Sequence, residues 1–281
     1  MIINLLSRAY LKLAVLTVAI IFLSSCGTTS RPHHRYSQGQ DSAPNYHIDV
    51  DKIPNATPKV EPFNKHANPA KYTVSGHTYC VRKSYLGYDE TGIASWYGMK
   101  FNAFKTSSGE MYDVAGMTAA NKVLPIPCYA MVTNLKNGRQ VIVKINDRGP
   151  FYQNRIIDLS YAAAVKLGVW PKGTSLVRVQ TIDPTHWHCS GSATAVHQVA
   201  INGTPRIYMK IGAFRSHANA ESLAARIQRV TDKPIQIKSV ELDNAPIYKV
   251  QIGPLPNVEY LDQLFAALQH EHLGTPMTVI K

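Results

Sequence analysis

GIASWYG (Gly92–Gly98), KTSSGEMYD (Lys105–Asp113), MTAANKVLPIP (Met117–Pro127), INDRGP (Ile145–Pro150) and IIDLSY (Ile156–Tyr161) follow one another in the stretch that decides the fold. Between them the chain reads as short strands and turns. Tyr129–Leu135 alternates apolar and polar residues, Asn137-Gly138 is a strong two-residue hairpin signal, and Arg139–Ile145 alternates again with Val141, Val143 and Ile145 on one face. Ile156–Leu159 is a further strand. Ser160 then caps a short helix that Gly168 stops. Leu176–Ile182 supplies the last strand. About six short strands with one or two helical turns predict a small closed barrel, because closure leaves no unpaired edge. Glu110, Asp147 and Asp158 sit beside turn-forming Gly and Pro, where carboxylates are held for acid/base work.

Outward from the barrel, the pattern changes on both sides. Residues 184–205 read as a linker, and residues 206–281 run strand Ile207–Ile211, helix His217–Arg229, strands Ile235–Val240 and Ile247–Ile252, helix Asn257–Gln269 and strand Met277–Ile280. That order is a ferredoxin-like βαββαβ plan. Met209, Ile211, Val250 and Ile252 should face the helices, which leaves Lys210, Lys249 and Gln251 on the open face of the sheet.

Before the barrel, Arg8 and Lys12 precede the apolar run Leu13–Leu23, which is short for a bilayer span and reads as a signal peptide over residues 1–25. Leu23-Ser24-Ser25-Cys26 resembles the bacterial lipobox. The resemblance implies acylation of Cys26, and Gly27 after it favours the outer membrane. Residues 26–70 are rich in Ser, Pro, His and Asn and are expected to be a disordered, lipidated tether, with the barrel domain over 71–183.

The formal charge of +12 predicts attraction to a polyanion. In an exported chain, Cys80, Cys128 and Cys189 face an oxidising space, but three thiols leave the pairing open. His186, His188 and Cys189 do not have zinc-site spacing, and no metal or cofactor is expected. Nucleic acid is disfavoured by compartment and by the lack of an aromatic RNP pattern in the strands.

The barrel motifs, with VTNLKNGR between them, resemble the rare lipoprotein A family, whose domain is a double-psi β-barrel. YMKIGAFRSHANAESLAARI and YKVQIGPL resemble the SPOR module, which binds peptidoglycan and occurs in cell-division proteins. The resemblance implies a lytic transglycosylase that cuts peptide-free glycan strands at the septum and forms 1,6-anhydro-muramic ends, without cofactor or metal, with division-site proteins as possible partners. By motif position the catalytic groups fall on Glu110, on Asp147 and on the residue after TAA. That residue is normally His and is Asn121 here. The expectation is that Asp147 is the acid/base, Glu110 assists, Asn121 hydrogen-bonds the sugar, Tyr97 either stacks on it or belongs to the barrel core, and Arg148 either holds a lactyl carboxylate or braces Asp147. Asp158 is read as either structural or catalytic. The alternative function is a non-catalytic septal binding protein.

Overall fold

The computed structural model describes residues 40–281 apart from 153, 188–196, 201, 202, 204, 243 and 244. The signal peptide, Cys26, His188 and Cys189 lie outside the described residues.

A hairpin of β1 (Lys71–Val74) and β2 (His77–Cys80) precedes the barrel strands β3 (Asp89–Tyr97), β4 (Thr118–Asn121), β5 (Cys128–Asn134), β6 (Arg139–Asp147), β7 (Arg155–Ser160) and β8 (Ser175–Ile182). These six pair in the order β4-β7-β3-β8-β5-β6, and β6 returns to β4, which closes the ring. The β3/β7 and β4/β6 pairs are parallel and the others antiparallel. Ile126, Val132, Val143, Ile145, Ile157, Leu159, Val177 and Val179 fill the interior, all fully buried. Alternation along each strand therefore decides what is left outside it. Helix α1 (Tyr161–Leu167) starts where the Ser160 hydroxyl accepts the Ala163 N–H, and it ends at Gly168 in the left-handed conformation, φ 75°.

Residues 40–70 depart from the expected free tether. A 3-10 turn at Val50–Lys52 and the residues around it lie along the barrel, with Val50, Ile53 and Ala56 packed against the core and Ala67 buried. The composition of this segment is poor in apolar groups, yet its polar side chains satisfy barrel backbone. The Ile142 N–H donates to Asn55 Oδ1 at 3.2 Å, the Ile126 N–H donates to Asn68 Oδ1 at 2.8 Å, and Asn68 Nδ2 donates to the Ile126 carbonyl at 2.6 Å. Asparagines that read as loop formers act here as docking groups. The linker is likewise pinned in part: β9 (His197–Gln198) adds to the β6 edge.

The second unit has β10 (Ile207–Phe214), α2 (His217–Ile227), β11 (Ile235–Leu242), β12 (Ala245–Leu255), α3 (Val258–His270) and β13 (Met277–Ile280). Its antiparallel sheet runs β11-β12-β10-β13. Met209, Ile211, Val250 and Ile252 are buried with Leu223, Ile227, Leu261 and Leu268 of the helices. Lys238 pairs with Lys249 in one cross-strand row and Gln251 with Lys210 and Gln236 in the next, so the lysines stand on the opposite face in two adjacent rows, while Gln251, expected to be open, is buried between them. Lys281 joins them, donating to Gln251 Oε1 at 3.0 Å.

The barrel and this unit touch. Ile93 of β3 is buried in the second unit's core, and the Arg155 guanidinium forms a forked pair with Asp262 of α3, with Asn154 Nδ2 donating to the same carboxylate at 2.6 Å. Asp262 is partly exposed, while Arg155 is buried.

Candidate active site

Four strands bring the reactive side chains into one row. Asp158 on β7 pairs with Ser95 on β3 and with Ala120 on β4, and Ala120 pairs in turn with Asp147 on β6. Directly paired residues project to the same face. With Ile157 and Leu159 in the interior, Asp158 must face outward, and Ser95 and Asp147 share that side. The Asp147 and Asp158 backbones are two strand spacings apart, about 10 Å. A small residue, Ala120, separates them.

Asp158 is partly buried, and its carboxyl is pushed up to about 6, mainly by desolvation, with the nearby Asp41 charge adding to the rise. The Ser95 hydroxyl donates to Asp158 Oδ1, and the charges of Arg155 and Lys122 oppose the rise. Gly149, at φ 137°, stands over the other oxygen. A Cβ there would come into van der Waals contact with Asp158 Oδ2 at 3.9 Å and with Ala120 Cβ at 3.7 Å, so glycine leaves this side of the acid uncovered. The backbone angle favours glycine as well. Lys122 is held beside the acid by the carbonyls of Tyr152 and Arg155, at 3.1 and 2.7 Å. Burial lowers its proton affinity.

Asp147 is tied into the loop before β4. Its Oδ1 accepts the Ser107 N–H at 2.8 Å, the Ser107 hydroxyl at 2.6 Å and the Arg148 N–H at 2.8 Å. Glu110 is a second peg of the same loop. One oxygen pairs with Lys144 Nζ at 2.6 Å and the other accepts from Asn146 Nδ2 at 2.8 Å. Lys144 also pairs with Glu61. The two acids anticipated as the working pair thus fasten the rim.

Three expected roles are corrected. Asn121 follows Ala120 on β4, so it points to the opposite side from the acid row, and it is 1% exposed. Its Oδ1 accepts the Val123 and Leu124 N–H groups, both at 2.8 Å, while Nδ2 donates to the Ile156 carbonyl at 3.0 Å and to the Tyr88 hydroxyl at 3.3 Å. The amide is spent on the turn after β4, with nothing left for a sugar. Arg148 donates with all five of its N–H groups, to the carbonyls of Ala67, Asn121 and Leu124 and to Asn68 Oδ1. It clamps residues 67–68 to the loop after β4, and neither holds a ligand carboxylate nor pairs with Asp147. Tyr97 is buried with its ring stacked on Tyr112, centroids 4.1 Å apart, so no face is open to a sugar. Its hydroxyl lies beside that of Thr118, and the charges of both Asp147 and Asp158 act on it. Desolvation is the main cause of its raised proton affinity.

The aromatic surface near the acids lies elsewhere. Tyr72 and Tyr79 of the leading hairpin stack at 5.3 Å and meet the ring of Phe151, which is 41% exposed on the loop after Gly149. Ser95, Lys122 and these rings were not singled out from the sequence. The alternation of Ser95 between Ala94 and Trp96, in register with Ile157-Asp158-Leu159, is the signal that could have found the first of them.

Comparison with known families agrees with this architecture. A family model described as lytic transglycolase, with the double-psi barrel, matches residues 89–180, and the SPOR domain model matches residues 203–277. The chain is 36% identical over 306 residues to the endolytic peptidoglycan transglycosylase RlpA of Pseudomonas aeruginosa strain UCBPP-PA14, covering 92% of this chain and 87% of that protein. It is 45% identical over 177 residues to the RlpA of Vibrio cholerae, covering 63% of this chain and 64% of that one. The crystal structure of the P. aeruginosa RlpA SPOR domain matches at 29% identity and a TM-score of 0.26, over 26% of this chain and 96% of that one. A double-psi barrel with an outward acid row, followed by a SPOR unit and related along nearly its whole length to such enzymes, places this chain in the RlpA family.

Proposed function

We propose that the protein is an endolytic peptidoglycan transglycosylase and that Asp158 is its acid/base. The observation that carries the assignment is the partly buried Asp158 carboxyl, which holds its proton up to about pH 6 beneath the opening left by Gly149. Protonated Asp158 donates its proton to the glycosidic oxygen as the bond to the anomeric carbon breaks. The resulting carboxylate then takes the proton of the muramic 6-hydroxyl while O6 bonds to the anomeric carbon, closing the 1,6-anhydro ring. The proton lost in the first half is recovered in the second, and no water is consumed. Asp147, carrying its charge in the same row, supports the positive character of the sugar ring at the breaking bond. The rings of Tyr79 and Phe151 supply an apolar wall on which a saccharide can rest.

Peptide-free glycan is the fitting substrate. Its free lactyl carboxylates also suit the lysines Lys210, Lys238, Lys249 and Lys281, which share one face of the second unit's sheet in neighbouring rows. With acylation of Cys26, the enzyme would work from the outer membrane at the division septum, held there by those lysines. The non-catalytic reading rested on the missing histidine at position 121, and the inward direction of the Asn121 side chain removes its motive. The test is digestion of peptide-free sacculi with mass spectrometry of the products. Wild type should release anhydro-muramic fragments and Asp158→Asn should not. Wild-type protein that binds the sacculi and releases none would establish the non-catalytic alternative.

A further inference from the structure

At the end of β3, three consecutive backbone N–H groups point the same way and are all taken by one short strap of the chain. The Gly98 N–H donates to Asp41 Oδ2 at 2.7 Å, the Met99 N–H donates to the Ser42 carbonyl at 2.9 Å, and the Lys100 N–H donates to Asp41 Oδ1 at 3.0 Å. Each oxygen of the Asp41 carboxylate therefore has its own donor, two residues apart. The fit is close. A Cβ at residue 98 would sit 2.2 Å from the Ser42 carbonyl oxygen and 2.7 Å from the Trp96 ring, so glycine is what lets an acidic, carbonyl-bearing segment approach. The strap is anchored further along by Ile48, packed beside Tyr97 and Tyr112, while Asp41 and Ser42 themselves are exposed.

The location gives this cradle a meaning. It follows Ser95 and Tyr97 on the strand that partners Asp158, and the Asp41 charge reaches Asp158 strongly enough to raise its proton affinity. A third carboxylate beside an acid row that already contains Asp147 and Asp158 adds like-charge repulsion, which the backbone donors that hold Asp41 must offset. A cradle that binds carboxylate for another purpose explains the arrangement.

We propose that the Gly98–Lys100 backbone is a subsite for a sugar carboxylate, the lactyl group of a peptide-free muramic acid, and that Asp41 is its resident intramolecular competitor. This rests on the transglycosylase reading for its substrate class. Substrate entering the groove exchanges one carboxylate for another, so the negative charge next to Asp158 is kept and the acid stays protonated with the glycan bound. Muramic acid still joined to a stem peptide has an amide at that position and could not make the exchange, which would build the preference for bare strands into backbone donors rather than into an arginine. Loss of Asp41 frees the Gly98 and Lys100 donors without altering them, and leaves the Met99 N–H on the Ser42 carbonyl.

The experiment uses the full chain and two readouts. In the first, N-acetylmuramic acid and N-acetylglucosamine are titrated into isotope-labelled wild type and Asp41→Ala. N-acetylmuramic acid should shift the amides of Gly98, Met99 and Lys100 in Asp41→Ala at roughly tenfold lower concentration than in wild type, the size expected for losing one charge-assisted competitor. N-acetylglucosamine, which lacks the carboxylate, should shift neither. In the second, KM for peptide-free glycan should fall in Asp41→Ala. Amides that do not respond to N-acetylmuramic acid, or a KM that rises because Asp41 is part of the groove wall, would overturn the subsite. The two readings fail separately: amide shifts without anhydro-muramic products from wild type would sink the enzyme and leave the subsite, and products without amide shifts would do the reverse.

Discussion

The strand row around Asp158 and the rim loop Thr106–Glu110, fastened on Asp147, both carry carboxylates, and their surroundings are opposite. Asp158 is desolvated, has one hydroxyl donor and lies open beneath a glycine. Asp147 accepts three hydrogen bonds on a single oxygen, and Glu110 is divided between a lysine and an amide. A carboxylate whose ionised form is fully solvated by donors is comfortable and holds a loop. One denied that solvation holds a proton instead, and it can give that proton up when a better charge arrangement forms. Motif position singles out Asp147 and Glu110 and leaves Asp158 undecided, whereas the surroundings of the three acids set Asp158 apart.

The largest effect should come from Asp158→Asn. Removing a general acid/base costs about 10²- to 10⁴-fold in rate, measured as release of anhydro-muramic ends. The same substitution should raise the melting temperature. The sign follows from linkage: the native carboxyl titrates near 6, above the ordinary 3.8 of an unfolded aspartate, so the unfolded chain ionises first as pH rises. Stability is then lost between those two values and stays lower above them, by about 1 to 3 kcal/mol. Lys122, Arg155 and Asp41 are the charged groups facing Asp158 that set this window. Activity of the wild type should decline as pH rises through about 6. An Asp158→Asn variant that is inactive but less stable at pH 7 would break the comparison.

Asp147→Ala tests the other side. Three hydrogen bonds to Ser107 and Arg148 are lost, so stability should fall by about 1 to 3 kcal/mol, seen as a lower denaturation midpoint. The rate should fall about 10²-fold through loss of its charge beside the reacting ring. Opposite stability signs for Asp158→Asn and Asp147→Ala are the sharpest statement of the difference.

Glu110→Gln should move stability by less than about 1 kcal/mol, because its pair with Lys144 is partly exposed and the Asn146 contact survives. The rate should fall less than in Asp158→Asn, with the change concentrated in KM as the rim loop loosens. A loss equal to that of Asp158→Asn, confined to kcat, would make Glu110 a reacting group and erase the distinction.

Much of this was legible in the sequence for identifiable reasons. Alternation in Arg139–Ile145 and the Ser160 and Gly168 caps are local signals realised where local physics puts them, whereas the hairpin before β6 is closed by the four residues 135–138 and not by Asn137-Gly138 alone, with Gly138 at φ 72°. Residues 40–70 were unreadable because their order comes from Asn55, Asn64 and Asn68 meeting barrel backbone far away in sequence, and a composition rule counts such residues as disorder. Arg148 was misjudged for the same reason: its four acceptors lie on segments 24 to 81 residues away. The direction of Asn121 was available in principle from strand parity. The motif directed attention to the residue type instead of to the side of the strand it occupies.

The smallest change in activity is predicted for Asn121→His, although that substitution restores the residue usual in the family. If position 121 supplied a proton shuttle, histidine there should raise the rate well above wild type. The side chain lies instead on the inner side of β4, where Asn121 accepts two backbone N–H groups and donates two hydrogen bonds of its own. A neutral imidazole has one acceptor and one donor, so it cannot reproduce four contacts, and at least one buried backbone N–H would lose its partner. That costs about 1 to 3 kcal/mol, while the row of Ser95, Asp158 and Asp147 is untouched. The expected result is a lower melting temperature, turnover within about threefold of wild type, and a pH–rate profile still governed by the single ionisation of Asp158. A tenfold or greater gain in rate, with a second ionisation in the profile, would show that position 121 reaches the substrate side and that the groove has three working groups.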